Sequence, residues 1–377
     1  MTHARSLLRK FNDSKSETDS WLLDTISKIC KQKERPMEQH GFQFACTRKA
    51  AKHNHKLLAK FNYNFPDAIH AHPNSIISPG AEFRKPSTLH QLLHHHQDWE
   101  KIHSILEHGV EYPFQDSVLT DKQLRTEIPI MLDRGNYQST KTEIRSKVLR
   151  EAYKKEVSHG WQIPLTTECL SKLQGAPIIL LDVALQLAVN EERKYVGKYR
   201  VTHDCSFKYS FDTSLNSAVN MELVPQCKYG KVLLRYLHQI HVARLNYHNT
   251  RIYQVKTDLD AAYRRLHVTP SIALKQISVI EKIAYISTRL PFGSSPAPSL
   301  YSIVSDIVFD FSNDILEDDH WNFHNLHSPN AHKFPSKIFY ARCYPFRKCK
   351  NPASTSSPTY LFCRWVYRWR NGSLPRY

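Results

Sequence analysis

Asp258 closes the run Ile252-Tyr253-Gln254-Val255-Lys256-Thr257, in which apolar residues alternate as in a β-strand. A carboxylate at a strand end is well placed for a metal, because the strand fixes the backbone and the oxygen points into the space beyond the sheet edge. The plainer reading of Asp258 is a cap on a strand-to-helix turn. Tyr263 follows five residues on, and the loop Pro291-Phe292-Gly293-Ser294-Ser295-Pro296 lies further along. A second set of polar residues lies upstream, in Gly197-Lys198-Tyr199-Arg200-Val201-Thr202-His203-Asp204. Lys198 and Arg200 fall on one face of a strand, and a guanidinium there can make two parallel bonds to phosphate oxygens without losing its proton. An exposed strand with an ordinary ion pair to Asp204 is the weaker alternative.

The elements that must position these residues can be read around them. The run to Asp258 is followed by a short helical segment, Leu259–Leu266. Two strand-like runs, Leu274–Ile280 and Ile283–Leu290, are joined by Glu281-Lys282 and lead into the Pro-Phe-Gly loop. Upstream, Trp161–Leu165 reads as a strand with a cap and short helix over Thr166–Leu173, and Ile178–Val189 as a buried strand. Tyr229–Tyr247 carries a helical stripe of Val232, Leu233, Tyr236, Leu237, Ile240 and Ala243 that reads as core under the sheet. Pro298–Leu316 carries Ile303, Val304, Ile307, Val308 and Phe311 in the same way.

Asp-Leu-Asp-Ala-Ala-Tyr (258–263), followed at this distance by Arg-Leu-Pro-Phe-Gly-Ser-Ser-Pro-Ala-Pro (289–298), resembles the palm motifs of retroelement reverse transcriptases. The first family motif runs Asp-Leu-x-x-small-aromatic and the second Leu-Pro-Phe-Gly-x-x-x-Ala-Pro. Arg200 and Asp204 stand at the spacing of the family's fingers hairpin. The resemblance covers about Trp161–Leu316, under half of the chain. It implies an α+β fold: right-hand polymerase fingers and palm, with an antiparallel palm sheet backed by helices and the thumb missing. It implies an RNA-directed DNA polymerase, with an RNA/DNA template-primer and dNTP as partners. Two Mg2+ ions about 4 Å apart would serve nucleotidyl transfer, with the Asp258 carboxylate and the Leu259 carbonyl as oxygen ligands. Lys198 and Arg200 would grip the triphosphate, and Asp204 would brace the hairpin. Tyr263 would sit under the sugar and exclude a 2′-hydroxyl, and Phe292 and Gly293 would line the floor. Asn220 matches the asparagine that closes this hairpin in relatives, with Asn216 as its competitor.

The family also needs a second carboxylate pair, aromatic-x-Asp-Asp on an apolar hairpin. The acidic pair downstream, Asp318-Asp319, follows a helix and precedes Trp321-Asn322-Phe323-His324, which is no apolar strand. A helix C-terminus also disfavours carboxylates. One carboxylate cannot hold two magnesium ions, so the chain is expected to be inactive as written. The run Cys363–Trp369 allows a codon choice which, read one base later, encodes Val-Asp-Gly-Tyr-Ile-Asp, close to the missing hairpin. The tail is therefore expected to be out of frame, the product of a decayed mobile element. The rival expectations are a basic protein that binds nucleic acid without catalysis, and a fragment without function.

Composition agrees with an anionic partner. The chain has 52 Lys+Arg against 35 Asp+Glu, a net charge of +17 over 377 residues, and such a surface suits polyphosphates. Only 10 glycines argue against a glycine-rich phosphate loop. Eight scattered cysteines without a Cys-x-x-Cys pair favour a reducing compartment. No signal peptide is visible. The longest apolar run, Ala176–Val189, is broken by Asp182 and Gln186, so nothing is expected to span a membrane and the location is expected to be cytoplasm or nucleus.

Four segments follow. Residues 1–90, basic and interrupted by Pro66, Pro73, Pro79 and Pro86, read as a weakly ordered arm. Residues 91–160 read as a helical connector. It holds one helix over Leu92–His108 with Leu92, Leu93, Trp99, Ile102 and Ile105 inward, and another over Thr142–Val157 with a stripe of Ile144, Val148 and Ala152 widened by Leu149 and Tyr153. Lys141, Arg145, Lys147, Arg150, Lys154 and Lys155 make the polar face of the second helix, which gains from an anionic partner. His94-His95-His96 point to three sides of a helix and have no second ligand pair nearby, a poor zinc site. Residues 161–316 are the fingers and palm segment, and residues 317–377 an irregular basic tail.

Overall fold

A computed structural model of the chain describes residues 41–73, 75–115, 118–189, 193–225, 232–248, 252–253, 261–317, 339–340 and 361–362. The protein is mixed α and β, with helices and small antiparallel sheets. It divides into two units, one of Thr25–Pro225 with Ala261–Val304, the other of Met1–Asp24, Gln226–Asp260 and Ser305–Tyr377. Among the described residues, no helix is long and apolar enough to cross a membrane.

The first unit holds α1 (Arg48–Lys60), α2 (Phe65–His70), α3 (Pro86–Leu93), α4 (Trp99–His108), α5 (Asp121–Arg134) and α6 (Glu143–Ser158). They are followed by β1 (Gln162–Thr166), β2 (Leu180–Val189), β3 (Tyr195–Asp204), α7 (Pro270–Leu274), β4 (Ile277–Ile280), β5 (Ile283–Ser287) and the start of α8 (Ala297–Glu317). β5 lies between β1 and β4 in a three-stranded antiparallel sheet, with Ile163 opposite Ile286 and Ile277 opposite the same residue. β2 and β3 form a separate hairpin. The core under it joins Leu181 and Val183 to Leu149, Tyr153 and Val157 of α6 and to Ile280, Ile283 and Tyr285 of the sheet.

The β4–β5 hairpin stands where the sequence puts it. Glu281 and Lys282 both have positive φ, 49° and 63°, as a two-residue turn that matches strand twist requires. The first strand is shorter than expected, because Leu274 ends α7, which Thr269 caps by accepting from the Ile272 amide. β1 and the 3-10 turn Thr167–Lys172 also match the expected strand and short helix.

Several expectations need correction. Residues 41–90 are not a loose arm where they are described. Thr47 caps α1, whose Ala50, Ala51, Asn54 and Leu58 are buried. The Asn54 amide donates to the Pro164 carbonyl at 2.9 Å, which ties this region to the sheet. The helix over Leu92–His108 is two helices, since the Asp98 amide donates to His96 Nδ1 and gives the backbone an alternative to the helix. On α6 the buried stripe is Leu149, Tyr153 and Val157, and Ile144 is 61% exposed. The tyrosine decides the face, because its hydroxyl meets Ser278 Oγ at 2.7 Å. Leu259–Leu266 is described only from Ala261, as a 3-10 turn over Ala262–Arg265 led by Ala261 in the left-handed region.

In the second unit a helix spans Val232–Asn246. Its Ala243 is buried but Leu237, expected inward, is 52% exposed. Of the expected antiparallel palm strand, Ile252–Tyr253 is described. It pairs in parallel with Leu361–Phe362, which pairs in parallel with Phe339–Tyr340.

Candidate functional site

Asp258 and Leu259, the expected metal ligands, lie outside the described residues, as do Asp318 and Asp319. Among the described residues, no three His, Cys, Asp or Glu side chains gather as a metal group.

The other expected residues are described, and several come together. Tyr263 sits on the turn Ala262–Arg265. Its ring lies 5.7 Å from Phe292 at an interplanar angle of 31°, and 5.2 Å from Tyr301 edge-on. Phe292 is 38% exposed, so the group presents an aromatic surface. The next residue of the turn points inward. Arg264 ion-pairs with Glu156, donates to Ser287 Oγ at 2.9 Å and reaches the Arg289 carbonyl at 3.3 Å. Arg265 reaches Glu82 at 3.1 Å. The turn is fixed by its cations, and the tyrosine between loop and helix is thereby aimed.

The Leu-Pro-Phe-Gly loop is anchored at both ends. At its start Arg289 is fully buried, 3.1 Å from Glu82, and donates to the carbonyls of Arg265 and Ile76. The Trp161 indole also donates to Glu82, at 2.7 Å. A buried guanidinium needs such a partner, since an unpaired one costs several kcal/mol. Further on, the Phe292 carbonyl accepts from the His203 amide at 3.3 Å. Gly293 has φ of 120°, and a Cβ there would stand 2.0 Å from the His203 carbonyl oxygen. The residue expected as floor is thus glycine for a backbone reason.

Asn216 locks the loop to the end of β3. Its amide nitrogen donates to the Gly293 carbonyl at 3.1 Å and to Ser206 Oγ at 2.8 Å. Its amide oxygen accepts from the Ser295 amide at 2.8 Å. Of the two candidate asparagines Asn216 makes this clamp, while the Asn220 side chain accepts from the nearby Glu222 amide. Asp204 accepts from the Tyr137 hydroxyl and the Ser206 amide. Burial, then this hydrogen bond, pushes the Tyr137 hydroxyl up to about 12.

His203, one residue before Asp204, is buried with Nε2 3.3 Å from the Tyr153 hydroxyl. Burial, and then Arg264, push its imidazole down to about 4. Burial alone would raise the Glu156 carboxyl, but Arg264 and His203 outweigh it and hold it below its ordinary range.

Lys198 and Arg200 stand exposed on β3, opposite Gln186 and Ala184 of β2. Strand alternation puts them on one face, away from the face of Leu185, Leu187 and Tyr199. Sequence reasoning missed Glu82, Arg289 and Tyr301. Glu82 and Arg289 are far apart in the chain, and no local pattern marks a pair that meets only in the fold. Tyr301 does carry a signal, an aromatic one turn into the helix that follows the loop.

No protein-family model, no curated protein and no solved structure matches this chain.

Proposed function

We propose that the chain derives from the fingers and palm of a retroelement RNA-directed DNA polymerase and is inactive as a polymerase in its present sequence. Its partners on this reading are an RNA/DNA template-primer and dNTP. One observation carries the reading: the Pro-Phe-Gly loop, the Tyr263 turn and the end of the Arg200 strand meet through Asn216, Gly293 and the Tyr263–Phe292 ring pair. These are the three segments which the motif resemblance groups around a nucleotide. Tyr263 would take the sugar, Phe292 and Gly293 the base side, and Lys198 and Arg200 the phosphates.

Mg2+ would belong to Asp258 and Leu259. A site built on one carboxylate does not hold the metal pair that nucleotidyl transfer needs. Primer extension with Mg2+, run on the wild-type chain and on Asp258→Asn beside RNA–DNA duplex binding at several salt concentrations, tests this. The expected result is no extension by either, with weak, salt-sensitive binding that Asp258→Asn lowers. Robust extension by the wild type overturns the inactivity.

The exposure of Lys198 and Arg200, with the +17 charge, favours a second reading, a non-catalytic nucleic-acid binder. It expects the same binding with no effect of Asp258→Asn. A chain that binds neither duplex nor nucleotide sinks both readings and leaves a fragment without function.

A further inference from the structure

The larger unit holds a cleft of about 490 Å3 that shares no residue with the Tyr263–Phe292 group. Small-ligand sites fall in the range of ~300–1,000 Å3. The cleft lies where α5 ends. Gly135 closes that helix with φ of 65°, and a Cβ there would meet no atom within 4 Å, so the chain leaves space where a side chain would stand. Met131 of α5, Leu149 of α6, Ile178 and Leu180 at the start of the β2 segment, and Ile280 of β4 make an apolar floor. All five are buried, and close packing behind them fixes its shape. The amide and hydroxyl groups nearest the floor are already engaged. The Asn136 amide donates to the Val279 carbonyl at 2.7 Å and accepts from the Leu181 amide at 3.0 Å. The Thr140 hydroxyl donates to the Tyr137 carbonyl at 2.7 Å.

The rim carries the charge. Lys141, at the end of the 3-10 turn Gln138–Lys141, and Lys282, in the β4–β5 turn, are exposed there. Among the described residues neither ammonium group has an ion-pair or hydrogen-bond partner. Arg150 and Glu281 also line the cleft, but they hold each other at 3.1 Å. A ligand therefore meets apolar surface below and two unpaired cations above, and the Ser146 and Thr167 hydroxyls can donate to the same anion. We propose that the cleft binds a small organic acid, an aromatic or short aliphatic body bearing a carboxylate. The carboxylate accepts charge-assisted hydrogen bonds from Lys141 and Lys282, and the body displaces water from the floor. A neutral apolar molecule leaves the two cations unused, and an inorganic anion leaves the floor wet.

Methionine methyl resonances of the full chain test this, because Met131 lines the cleft and Met221, 46% exposed, lies outside it. 2-Naphthoate is expected to shift the Met131 methyl saturably and to leave Met221 in place. 2-Naphthamide, the same body without the charge, should bind about tenfold more weakly or worse, as loss of a charge-assisted hydrogen bond implies. Inorganic phosphate should move neither methyl. Lys141→Glu with Lys282→Glu should weaken 2-naphthoate by about tenfold or more. The same variant should bind 2-naphthamide as the wild type does, which shows that the cleft is still formed. Leu187→Asp, on the exposed apolar face of the β2–β3 hairpin, should change neither titration. A Met131 methyl that 2-naphthoate fails to shift, or shifts without saturation, overturns the proposal. So does 2-naphthamide or phosphate that binds as tightly as 2-naphthoate, or a double variant that binds 2-naphthoate as well as wild type. If the double variant loses 2-naphthamide too, Lys141→Gln and Lys282→Gln decide. At least one of them must weaken 2-naphthoate while 2-naphthamide holds, or the proposal falls.

Discussion

The two hairpins of the larger unit use the same strand chemistry to opposite ends. β4–β5 is short, closed by two left-handed residues, and every residue of β5 is buried. It has β1 along one side, and Arg289, just beyond it, is locked to Glu82. β2–β3 is ten residues a side, and is buried only at its inner end. The first hairpin sets where the Pro-Phe-Gly loop emerges. The second reaches outward, and its burial pattern leaves one apolar face and one basic face in solvent. Burial on all sides gives position, and burial at one end gives reach.

The contrast can be broken by substitution, beginning at the buried end. Glu82→Ala leaves Arg289 buried without its carboxylate, and a urea unfolding curve should show a loss of about 3–5 kcal/mol. A loss under about 1 kcal/mol would mean that the hairpin is not held by this pair. Gly293→Ala should cost about 3 kcal/mol, from the left-handed backbone and the collision with the His203 carbonyl. It should also weaken nucleotide binding if the loop is the floor of a site.

Acid should act at the junction of the two hairpins. His203 titrates near its ordinary 6.5 in the unfolded chain and only near about 4 when folded. The unfolded state therefore binds the proton first, and stability present above about pH 6.5 is lost as the pH falls toward about 4. The depressed Glu156 carboxyl acts in the same direction. Unfolding midpoints taken across that range should fall steadily, and His203→Gln should flatten the fall. A midpoint that rises on acidification would contradict the buried neutral imidazole.

Smaller effects are expected at the exposed positions. Glu281→Asn with Lys282→Gly suits a turn in which both residues are left-handed, and should stabilise by about 1 kcal/mol in thermal melts. Lys198→Ala with Arg200→Ala should change stability by less than about 0.5 kcal/mol. It should still weaken duplex binding and lower its salt slope, as loss of phosphate contacts does. If that double variant unfolds the chain, the outer hairpin is structural and the contrast drawn above is wrong.

The sequence alone determined the local pieces. Alternation and the two-residue link gave the β4–β5 hairpin, and the strand and short turn after Trp161 were equally legible. Helical spacing placed α6 within a residue or so at each end, because periodicity is written locally. The sequence also brought forward both Asn216 and Asn220 without choosing between them. Only the tertiary structure chose Asn216, through bonds to Gly293 and Ser295 on a distant loop. Tertiary packing also turned α6 so that Tyr153 reaches Ser278, and it drew residues 41–90 into the core through Asn54 and Glu82. The physical reason is common to all three. A polar side chain meets its partner in space, an obligation for the buried Asn54, Tyr153 and Arg289, and where that partner lies far off in the chain no local spacing can announce it.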